Sequence, residues 1–406
     1  MQLVERHVIK PDHRFYREAD RRSWLCKNLY NSPNYIYSQN FFASQQTNAL
    51  AVYHALKTSR DYKAMPAKVA QSRLGLVLKA WTSYYLAGRN YQEDTTRFKT
   101  APKIPHYNKG SRERKREDGR YVLVFNCQAV SKRALKKGYA RPSGTNIGLA
   151  SKVTSILEIR IVPKVGGYVV EVLYEKLEQP LQVNQRVVAI DLGLNNRATL
   201  TYNVPGLVPT IYDGRAVKST NQYCNQVSAA LKSLLPAAQK TSKKIAKLWH
   251  KRNCKVDYYL HTTSSAIIKE LVNHQIGLLV IGGNQDFKDG INTGKVNNQN
   301  FACISHRRFL EMLQYKGQLA GIQVVLVEES YTSQGSALDW EPIQQHSDYS
   351  GSRVKRGLFR TKTGRFIKAN VNGSLNSDPK AVEDGFIPHS REGFVVNPVR
   401  LKAYKH

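Results

Sequence analysis

The chain has 406 residues and carries 62 Lys and Arg against 30 Asp and Glu, a formal net charge of +32. Its 41% of hydrophobic residues suffices for packed cores and excludes wholesale disorder, and no apolar run approaches the roughly 20 residues of a membrane span. The excess charge is 32 minus 14, or +18, through Pro180 and +14 beyond it. A charge spread in this way favours an extended polyanion as partner, with a membrane surface as the rival.

The cysteine pattern and the N-terminus bear on location. The five cysteines lie far apart, no pair has metal-finger spacing and the count is odd, so we expect free thiols and a reduced intracellular compartment. The N-terminal residues contain no apolar core like that of a secretory signal. We therefore expect a cytoplasmic, non-membrane protein.

The first half of the chain predicts a small β-rich body with a helical insertion. A strand-like start gives way to helical spacing from about 23 to 95, and a basic, proline-broken segment follows at 99–120. Residues 121–125 and 156–174 have the character of strands, with a turn at Gly166-Gly167. The sequence indicates a first domain over residues 1–183.

The second half, residues 184–406, alternates strands and helices. Strands are predicted at 187–193, 198–202, 210–212, 278–281 and 324–327, and helices at 225–274 and 309–319. This order is typical of an α/β domain with a mixed sheet. Along the predicted long helix, five lysines recur at steps of three or four residues with no acid between them: Lys240, Lys244, Lys247, Lys251 and Lys255. They form either a phosphate-binding face or an ordinary solvated one.

Asp191 is the first candidate for chemistry. It ends an apolar strand and is followed by Leu192-Gly193, which places it at the open edge of an α/β sheet, where such folds hold their sites. An acid there can bind Mg²⁺, yet strand-end aspartates often only cap turns, so the position alone is a weak signal.

Read together, the motifs of the chain resemble the TnpB family of transposon-encoded RNA-guided nucleases, relatives of the type V CRISPR effectors. Asp191-Leu192-Gly193-Leu194-Asn195-Asn196-Arg197-Ala198-Thr199-Leu200 resembles the first RuvC motif of that family. Further segments match in the family's order: 102–107 and 161–164 (wedge domain), 250–253 with 257–261 (RuvC helix), 315–333 (before the zinc finger), 356–360 with 369–374 (third RuvC motif) and 391–400.

The resemblance implies a fold and partners. The fold would be a wedge-type β-barrel with a helical recognition insertion, followed by a RuvC-like, RNase-H-fold mixed sheet with helices. A guide RNA would select double-stranded target DNA by pairing, next to a short motif that the protein reads, in a prokaryotic, nucleoid-associated setting. Cleavage in the family depends on Mg²⁺ held by three acids.

The chain departs from the family at its catalytic and zinc positions. The second acid of the family is replaced by Gly282, and the third by Asn370. No Cys follows Cys303, so the zinc finger expected at about 331–350 is degenerate and no zinc is expected. Glu328 or Glu329, after the strand at 324–327, could supply a relocated acid, with Asp191 and Glu329 as weak Mg²⁺ ligands. Alternatively, the glutamate is only a solvated strand-end residue. Asn370 is neutral and a poorer ligand, and Asp378, just before Pro379, is a weak substitute.

The resemblance and the charge pattern together mark nucleic-acid contacts. By residue type, Tyr35, Tyr37, Tyr84, Tyr85, Arg73 and Lys79 could stack on bases or meet phosphates, although aromatics at helical spacing are usually core. The cations expected at phosphates lie in three groups: Lys109, Arg112, Arg114 and Lys115; Lys244, Lys247, Lys251 and Arg252; Arg353, Lys355, Arg356 and Arg360.

Three functions fit these features. The first is an RNA-guided DNA-binding protein whose cleavage is lost or weakened. The second is an active Mg²⁺-dependent RNA-guided endonuclease that uses a relocated glutamate. The third is an RNA-binding protein without DNA targeting. The first is favoured, because the basic surfaces persist while two of the three acids are missing from their usual places.

Overall fold

A computed structural model describes residues 1–107, 122–237, 239–282, 306–327, 330–355, 357–377 and 398–404. The contacts divide the chain into two compact units, Met1–Lys176 and Leu177–His406. Each contains both sheets and helices, so the protein is a mixed α/β protein, as the sequence predicted. Among the described helices, none combines the length and the apolar character that a membrane span requires.

The first unit is organised around an antiparallel four-stranded sheet. Its strand order is β1-β6-β5-β2, and a separate pair, β3-β4, lies nearby in the chain. The β5–β6 hairpin turns at Gly166 and Gly167, both with positive φ, and a Cβ on Gly167 would lie 2.3 Å from the Ile9 carbonyl oxygen, so this turn requires glycine. The strands are β1 (Gln2–Ile9), β2 (Leu123–Asn126), β3 (Tyr139–Ala140), β4 (Leu149–Ala150), β5 (Glu158–Lys164) and β6 (Gly167–Glu175).

Five α-helices lie in the described part of this unit. Their main core contact joins the first and fourth helices, where Trp81 is fully buried, stacks on Tyr37 and donates from Nε1 to Asn34 Oδ1 at 2.8 Å. The helices are α1 (Tyr16–Phe42), α2 (Ala49–Leu56), α3 (Arg60–Lys63), α4 (Ala67–Glu93) and α5 (Lys132–Leu135).

Two residues considered for nucleic-acid contact lie in this core instead. Tyr37 is 4% exposed against Trp81, and Arg73 is 2% exposed with its guanidinium donating to the Val122 carbonyl. The expectation of base or phosphate contact by these two side chains is therefore wrong. The apolar periodicity of α1 and α4 was the better guide, since an aromatic at helical spacing is most often core.

The second unit contains a six-stranded mixed sheet in the order β11-β10-β7-β8-β9-β15. β7, β10 and β11 run parallel, β8 is antiparallel to both β7 and β9, and β15 is parallel to β9. The strands are β7 (Val187–Asp191), β8 (Asn196–Tyr202), β9 (Thr210–Asp213), β10 (Leu278–Gly282), β11 (Gln323–Val327) and β15 (Val399–Leu401).

Alternate side chains along β7 belong to two different hydrophobic clusters. Val188 and Ile190 pack with the long helices, while Val187 and Ala189 pack with Val280 in a second, smaller cluster. Glu270 anchors the long helix to the sheet, because its carboxylate accepts from the hydroxyls of Tyr202, Thr210 and Tyr212. The helices of this unit are α6 (Arg215–Ser233), α7 (Lys243–Asn273), α8 (His306–Leu319) and α9 (Ala369–Ser377).

The single helix predicted over 225–274 is wrong. The structure has two helices, α6 and α7, separated at 234–242 around Pro236, which lacks the amide hydrogen that a continuous helix needs. Ser242 then caps α7 by accepting from the Ile245 amide. Lys240 consequently lies before the helix, and the basic face of α7 begins one step later, at Lys244.

A three-stranded sheet and a long loop precede α9. The sheet has the order β12 (Ser352–Lys355), β13 (Leu358–Arg360) and β14 (Phe366–Lys368). Phe359 and Ile367 from this sheet pack with Ala337 of the loop and with Val371 and Leu375 of α9. This small core fixes α9 where β14 ends, directly before Asn370.

Candidate functional site

Asp191 and Asn370 meet at the carboxyl edge of the large sheet. Asp191 is the last residue of β7, and Asn370 lies in the first turn of α9, which packs against β7 and β8. Asn370 Nδ2 donates to Asp191 Oδ2 at 2.8 Å across 179 residues of chain. The two catalytic positions indicated by the resemblance therefore belong to one site.

A chain of hydrogen bonds sets the orientation of the Asn370 amide. Its oxygen accepts from Asn196 Nδ2 at 3.1 Å, and Asn196 Oδ1 in turn accepts from Arg400 Nη2 at 2.9 Å. Because both ends of the amide are engaged, the NH₂ group faces the carboxylate and the oxygen faces away from it. Asn370 acts here as a hydrogen-bond donor to Asp191 and not as a second oxygen ligand beside it.

The backbone around the site explains why the first motif has a glycine at position 193. A Cβ on Gly193 would lie 2.6 Å from the Asn196 carbonyl oxygen and 3.2 Å from Asn370 Nδ2, so any larger residue would displace the amide. Gly373 of α9 also faces Asp191, but a Cβ there would lie at an ordinary contact distance of 3.7 Å from Oδ2, so space alone does not require glycine. Ser374 then secures the helix by donating to the Ala189 carbonyl at 2.9 Å and pairing with Thr201 at 2.8 Å.

Burial dominates the electrostatics of Asp191. Desolvation raises the pKa of its carboxyl group from 3.8 to about 6, although the Asn370 hydrogen bond and the charge of Arg353 act in the opposite direction. Arg353, an exposed residue of β12, is thus the cation whose field reaches the site. Because burial makes the ionised carboxylate of Asp191 costly, a cation or a hydrogen-bond donor beside it stabilises the charged form.

The described residues do not fit a two-metal centre. Within those ranges no three His, Cys, Asp or Glu side chains converge to hold a metal ion. Asp191 faces the amide NH₂ of Asn370, which repels a cation. Asp213, which ends β9 at the same edge, is engaged by Arg215 and Arg400. Two Mg²⁺ ions need several oxygen ligands with compensating negative charge. We therefore derive no metal-dependent step from these residues.

The strands beside Asp191 end at the same edge of the sheet. Ile281 pairs with Ile190, so Gly282 follows at the level of Asp191, and Gly282 pairs with Val327 at the end of β11. Gly282 has no side chain to offer a ligand. Glu328 and Glu329, the candidates for a relocated acid, lie outside the described residues, as does Asp378.

The expected basic surfaces fall into exposed and structural residues. Lys244, Lys247 and Lys251 are exposed along α7, as are Arg353, Lys355 and Arg360 on the three-stranded sheet. Arg252 differs, since its Nε donates to Asn221 Oδ1 at 2.7 Å and ties α7 to α6. Lys109, Arg112, Arg114, Lys115 and Arg356 lie outside the described residues.

In the loop expected to hold a degenerate zinc finger, two carboxylates bind backbone amides. Glu341 accepts from the amides of Ser336 at 2.7 Å and Ser350 at 2.6 Å. Asp339 Oδ2 accepts from Ser336 Oγ at 2.6 Å and from the Lys362 amide at 2.7 Å. Each acid therefore cross-links two parts of the segment, as a bound ion otherwise could.

Sequence reasoning did not select Asn196 or Arg400 for the site. Asn196 stands in the first motif, five residues after Asp191, and its polar side chain at the start of a buried strand was an available signal. Arg400 enters through β15, which pairs with β9 from a distant part of the chain. Only the pairing of β15 with β9 brings Arg400 near Asn196.

Two family models match the second half of the chain and the strand before it. OrfB_IS605, described as a probable transposase, matches residues 168–288, which include β7 with Asp191 and all of α7. The Cas12f1-like TNB domain matches residues 306–377, from α8 through α9 with Asn370. The site at the sheet edge is thus formed between the two matched regions.

The chain also matches solved structures of RNA-guided effectors, at TM-scores below 0.5. A Cas12f1–sgRNA–target DNA complex has a TM-score of 0.38 at 10% identity, covering 94% of this chain and 100% of the other. A CRISPR-Cas12f ternary complex gives 0.39 and 12%, covering 90% and 82%. The mini-RNA-guided endonuclease CRISPR-Cas_phi3 gives 0.45 and 9%, covering 94% and 92%.

At these identities the likeness to solved structures assigns no function. No curated protein matches the chain in sequence. The two family models, however, agree with the motifs in both position and order. The resemblance of this chain to the TnpB family, with its Cas12f relatives, is thereby confirmed.

Proposed function

We propose that this protein is an RNA-guided double-stranded DNA-binding protein whose nuclease activity is lost or weakened. The observation that carries the proposal is the hydrogen bond from Asn370 to Asp191 at 2.8 Å. The resemblance implies an acid at position 370, and the amide fills that place with a group that neutralises Asp191 by hydrogen bonding. A site satisfied in this way has less affinity for divalent cations than three carboxylates would have.

The strand order supports a RuvC-type, RNase-H-like sheet for the second unit. Three antiparallel strands, β9-β8-β7, continue into the parallel strands β10 and β11, and Asp191 ends the central strand β7. We further propose that the sheet of the first unit belongs to the wedge domain and that the helices α1–α4 form the recognition insertion. The domain boundary would lie near 183.

Exposed cations support nucleic acid as the partner. Lys244, Lys247 and Lys251 recur along one face of α7, and Arg353, Lys355 and Arg360 cluster on the small sheet. Cations arranged along rigid elements suit regularly spaced phosphates, while base pairing with the guide supplies sequence specificity. The partners would be a guide RNA and target double-stranded DNA, in a prokaryotic cytoplasm.

An active Mg²⁺-dependent endonuclease is the second candidate. It is favoured by the pairing of Gly282 with Val327 at the edge where Asp191 ends its strand, because the chain continues from Val327 directly into Glu328 and Glu329. A carboxylate from either position would restore one negative charge. The position of Asn370 would still lack its acid.

The experiment that tests the proposal uses full-length protein purified with co-expressed RNA from its own locus. Binding and cleavage of matched duplex DNA are measured in Mg²⁺ and in Mn²⁺, with a guide-mismatched duplex as control. We expect guide-dependent binding without cuts. Efficient cleavage that is abolished by Asp191→Ala would establish the second candidate instead, and the absence of bound RNA would overturn both.

A further inference from the structure

A second strongly basic surface lies in the first unit, in a segment that the sequence motifs did not single out. Residues 122–157 contain no Asp or Glu and six Lys or Arg. Four of the six fall in and directly beside the short helix α5: Lys132, Arg133, Lys136 and Lys137. All four are exposed. A charge run this dense without acids is costly to hold together unless a polyanion neutralises it.

The structure gives this run a concave shape. Arg133, Lys137, Tyr139 and Arg141 line an open cleft of about 590 Å³ together with Arg14, and no acid is among the residues lining it. We call this the basic cleft. Its volume lies within the range of roughly 300–1,000 Å³ that suits a ligand of nucleotide size.

Two of the cations are held in place by neighbours and keep their charge available. Arg141 Nε donates to the Thr145 carbonyl at 2.8 Å, which fixes the guanidinium while leaving its other donors. The Arg14 guanidinium lies 4.5 Å from the centroid of the Phe15 ring. Preorganised guanidinium groups suit phosphate oxygens, because little side-chain freedom is lost on binding.

Tyr139 adds a stacking surface for a base to the cleft, whose cations by themselves would suit only phosphates. It is 46% exposed at the end of the β3–β4 pair, among the cations of the cleft. An exposed ring beside cations is the arrangement on which unpaired bases stack while their phosphates meet Lys and Arg. In a duplex the bases are already stacked on one another, so the ring would have no role.

From this geometry we infer that the basic cleft binds an unpaired RNA segment, with a base stacked on Tyr139 and the adjoining phosphates on Arg133, Lys137, Arg141 and Arg14. The inference rests on the proposed function, since it names a contact for the RNA partner. It assigns that contact to residues of the first unit.

The test measures binding of a labelled oligouridylate of about 20 nucleotides, long enough for several phosphate contacts, to full-length protein freed of RNA by nuclease and high salt. Tyr139→Leu should weaken binding by about 5- to 150-fold, the range for loss of one stacked base, and Tyr139→Phe should retain it. Tyr223→Leu, at a tyrosine 61% exposed on α6, is the matched control and should leave binding unchanged.

Charge reversal tests the phosphate contacts separately. Arg133→Glu with Lys137→Glu should reduce the slope of log affinity against log salt by about 1.4, since each single-strand phosphate contact contributes about 0.7. Lys10→Glu with Lys164→Glu, at exposed lysines of the same unit outside the cleft, should not.

Several outcomes would overturn the inference. Unchanged RNA affinity in the cleft variants would do so, as would no oligouridylate binding by the unsubstituted protein, or a loss confined to duplex DNA. The proposed function is judged apart, by guide-dependent DNA binding of the protein purified with its own RNA. If Lys244→Glu with Lys247→Glu weakened RNA binding and the cleft variants did not, the RNA would lie on α7 and the cleft would have no role.

Discussion

Asn370 Nδ2 lies 2.8 Å from Asp191 Oδ2, so the side chain at the position that the resemblance marks as the third acid donates to the carboxylate at the first. A neutral donor bound to a carboxylate contributes about 1.5–3 kcal/mol and needs no metal. The remaining bonds of the amide, through Asn196 to Arg400, hold it in this orientation. Asn370 and Asp191 thus bond to each other, and we propose this amide in place of an acid as the reason for lost or weakened cleavage.

Asn370→Asp should make the protein depend on divalent cations. Without metal, two carboxylates would stand where one hydrogen bond now joins the side chains, and their repulsion would lower the melting temperature. Mn²⁺ or Mg²⁺ should restore it, because a cation that binds the folded state stabilises it. Thermal melts with and without Mn²⁺ measure this effect.

The control for that substitution is Asn195→Asp, which adds the same charge one residue before Asn196. Asn195 Oδ1 accepts from Lys218 Nζ at 3.3 Å, so its side chain bonds to this lysine and not to Asp191. Its melting temperature should respond little to Mn²⁺. An equal metal response in both variants would show that the added charge, and not the site, binds the ion.

Asp191→Asn should stabilise the metal-free protein at neutral pH. Burial raises the pKa of Asp191 from 3.8 to about 6, so between these values the folded state binds more protons than the unfolded state. The stability of the natural protein therefore falls as pH rises from about 4 to about 6. At pH 7 the variant should gain at most about 3 kcal/mol, since one pKa unit corresponds to about 1.4 kcal/mol.

Urea unfolding at pH 4.5 and at pH 7 measures the pH dependence. The gain from Asp191→Asn should be largest at pH 7 and shrink towards pH 4.5. Asp348→Asn, at an exposed aspartate, should show no such trend. A stability difference that is the same at both pH values would contradict the assigned burial of the Asp191 carboxylate.

Glu341 should be a structural residue of the loop before β12. Its two oxygens accept from the amides of Ser336 and Ser350, and hydrogen bonds to a charged group contribute about 1.5–3 kcal/mol each. Glu341→Ala should therefore lower the free energy of unfolding by about 2 kcal/mol or more. Urea denaturation of the full chain measures the loss.

Glu311→Ala is the comparison for Glu341. Glu311 pairs with Arg307 on α8 with both side chains largely exposed, and such pairs contribute about 0–1 kcal/mol. Added EDTA should change neither variant, if carboxylates and not a metal hold this loop. Equal losses in the two variants would remove the structural role given to Glu341.

Lys247→Ala should weaken DNA binding by the guide-loaded protein without changing sequence preference. A single phosphate contact on duplex DNA contributes about 0.9 to the slope of log affinity against log salt. Binding isotherms at several salt concentrations should show the slope reduced by about that amount. Lys164→Ala, at an exposed lysine of the β5–β6 hairpin, should keep the original slope.

The sequence predicted the large sheet well because its strands are short apolar runs bounded by turn residues. Val187–Asp191 and Leu278–Gly282 were found almost to the residue. That Asp191 and Asn370 belong to one site was predicted only through motif resemblance, since no local pattern places residues 179 positions apart in contact. The break at Pro236 was missed because the helical spacing on both sides masked it.

The rest of the site depends on tertiary structure that a single sequence does not encode locally. Arg400 reaches Asn196 only because β15 pairs with β9, and that register is fixed by the whole sheet. Arg73 was a candidate for phosphate contact by residue type alone, yet it lies in the core with its guanidinium donating to the Val122 carbonyl. Residue type alone did not show that Arg400 belongs to the candidate site and that Arg73 belongs to the core.

The most direct test of the central claim is guided cleavage of matched duplex DNA in Mn²⁺ by the natural protein, Asn370→Asp and Asp191→Ala. We expect all three to bind the target, the natural protein to cut no faster than Asp191→Ala, and Asn370→Asp to cut faster by about tenfold or more, a barrier difference of about 1.4 kcal/mol. Asp191-dependent cutting by the natural protein that Asn370→Asp does not increase would contradict the account.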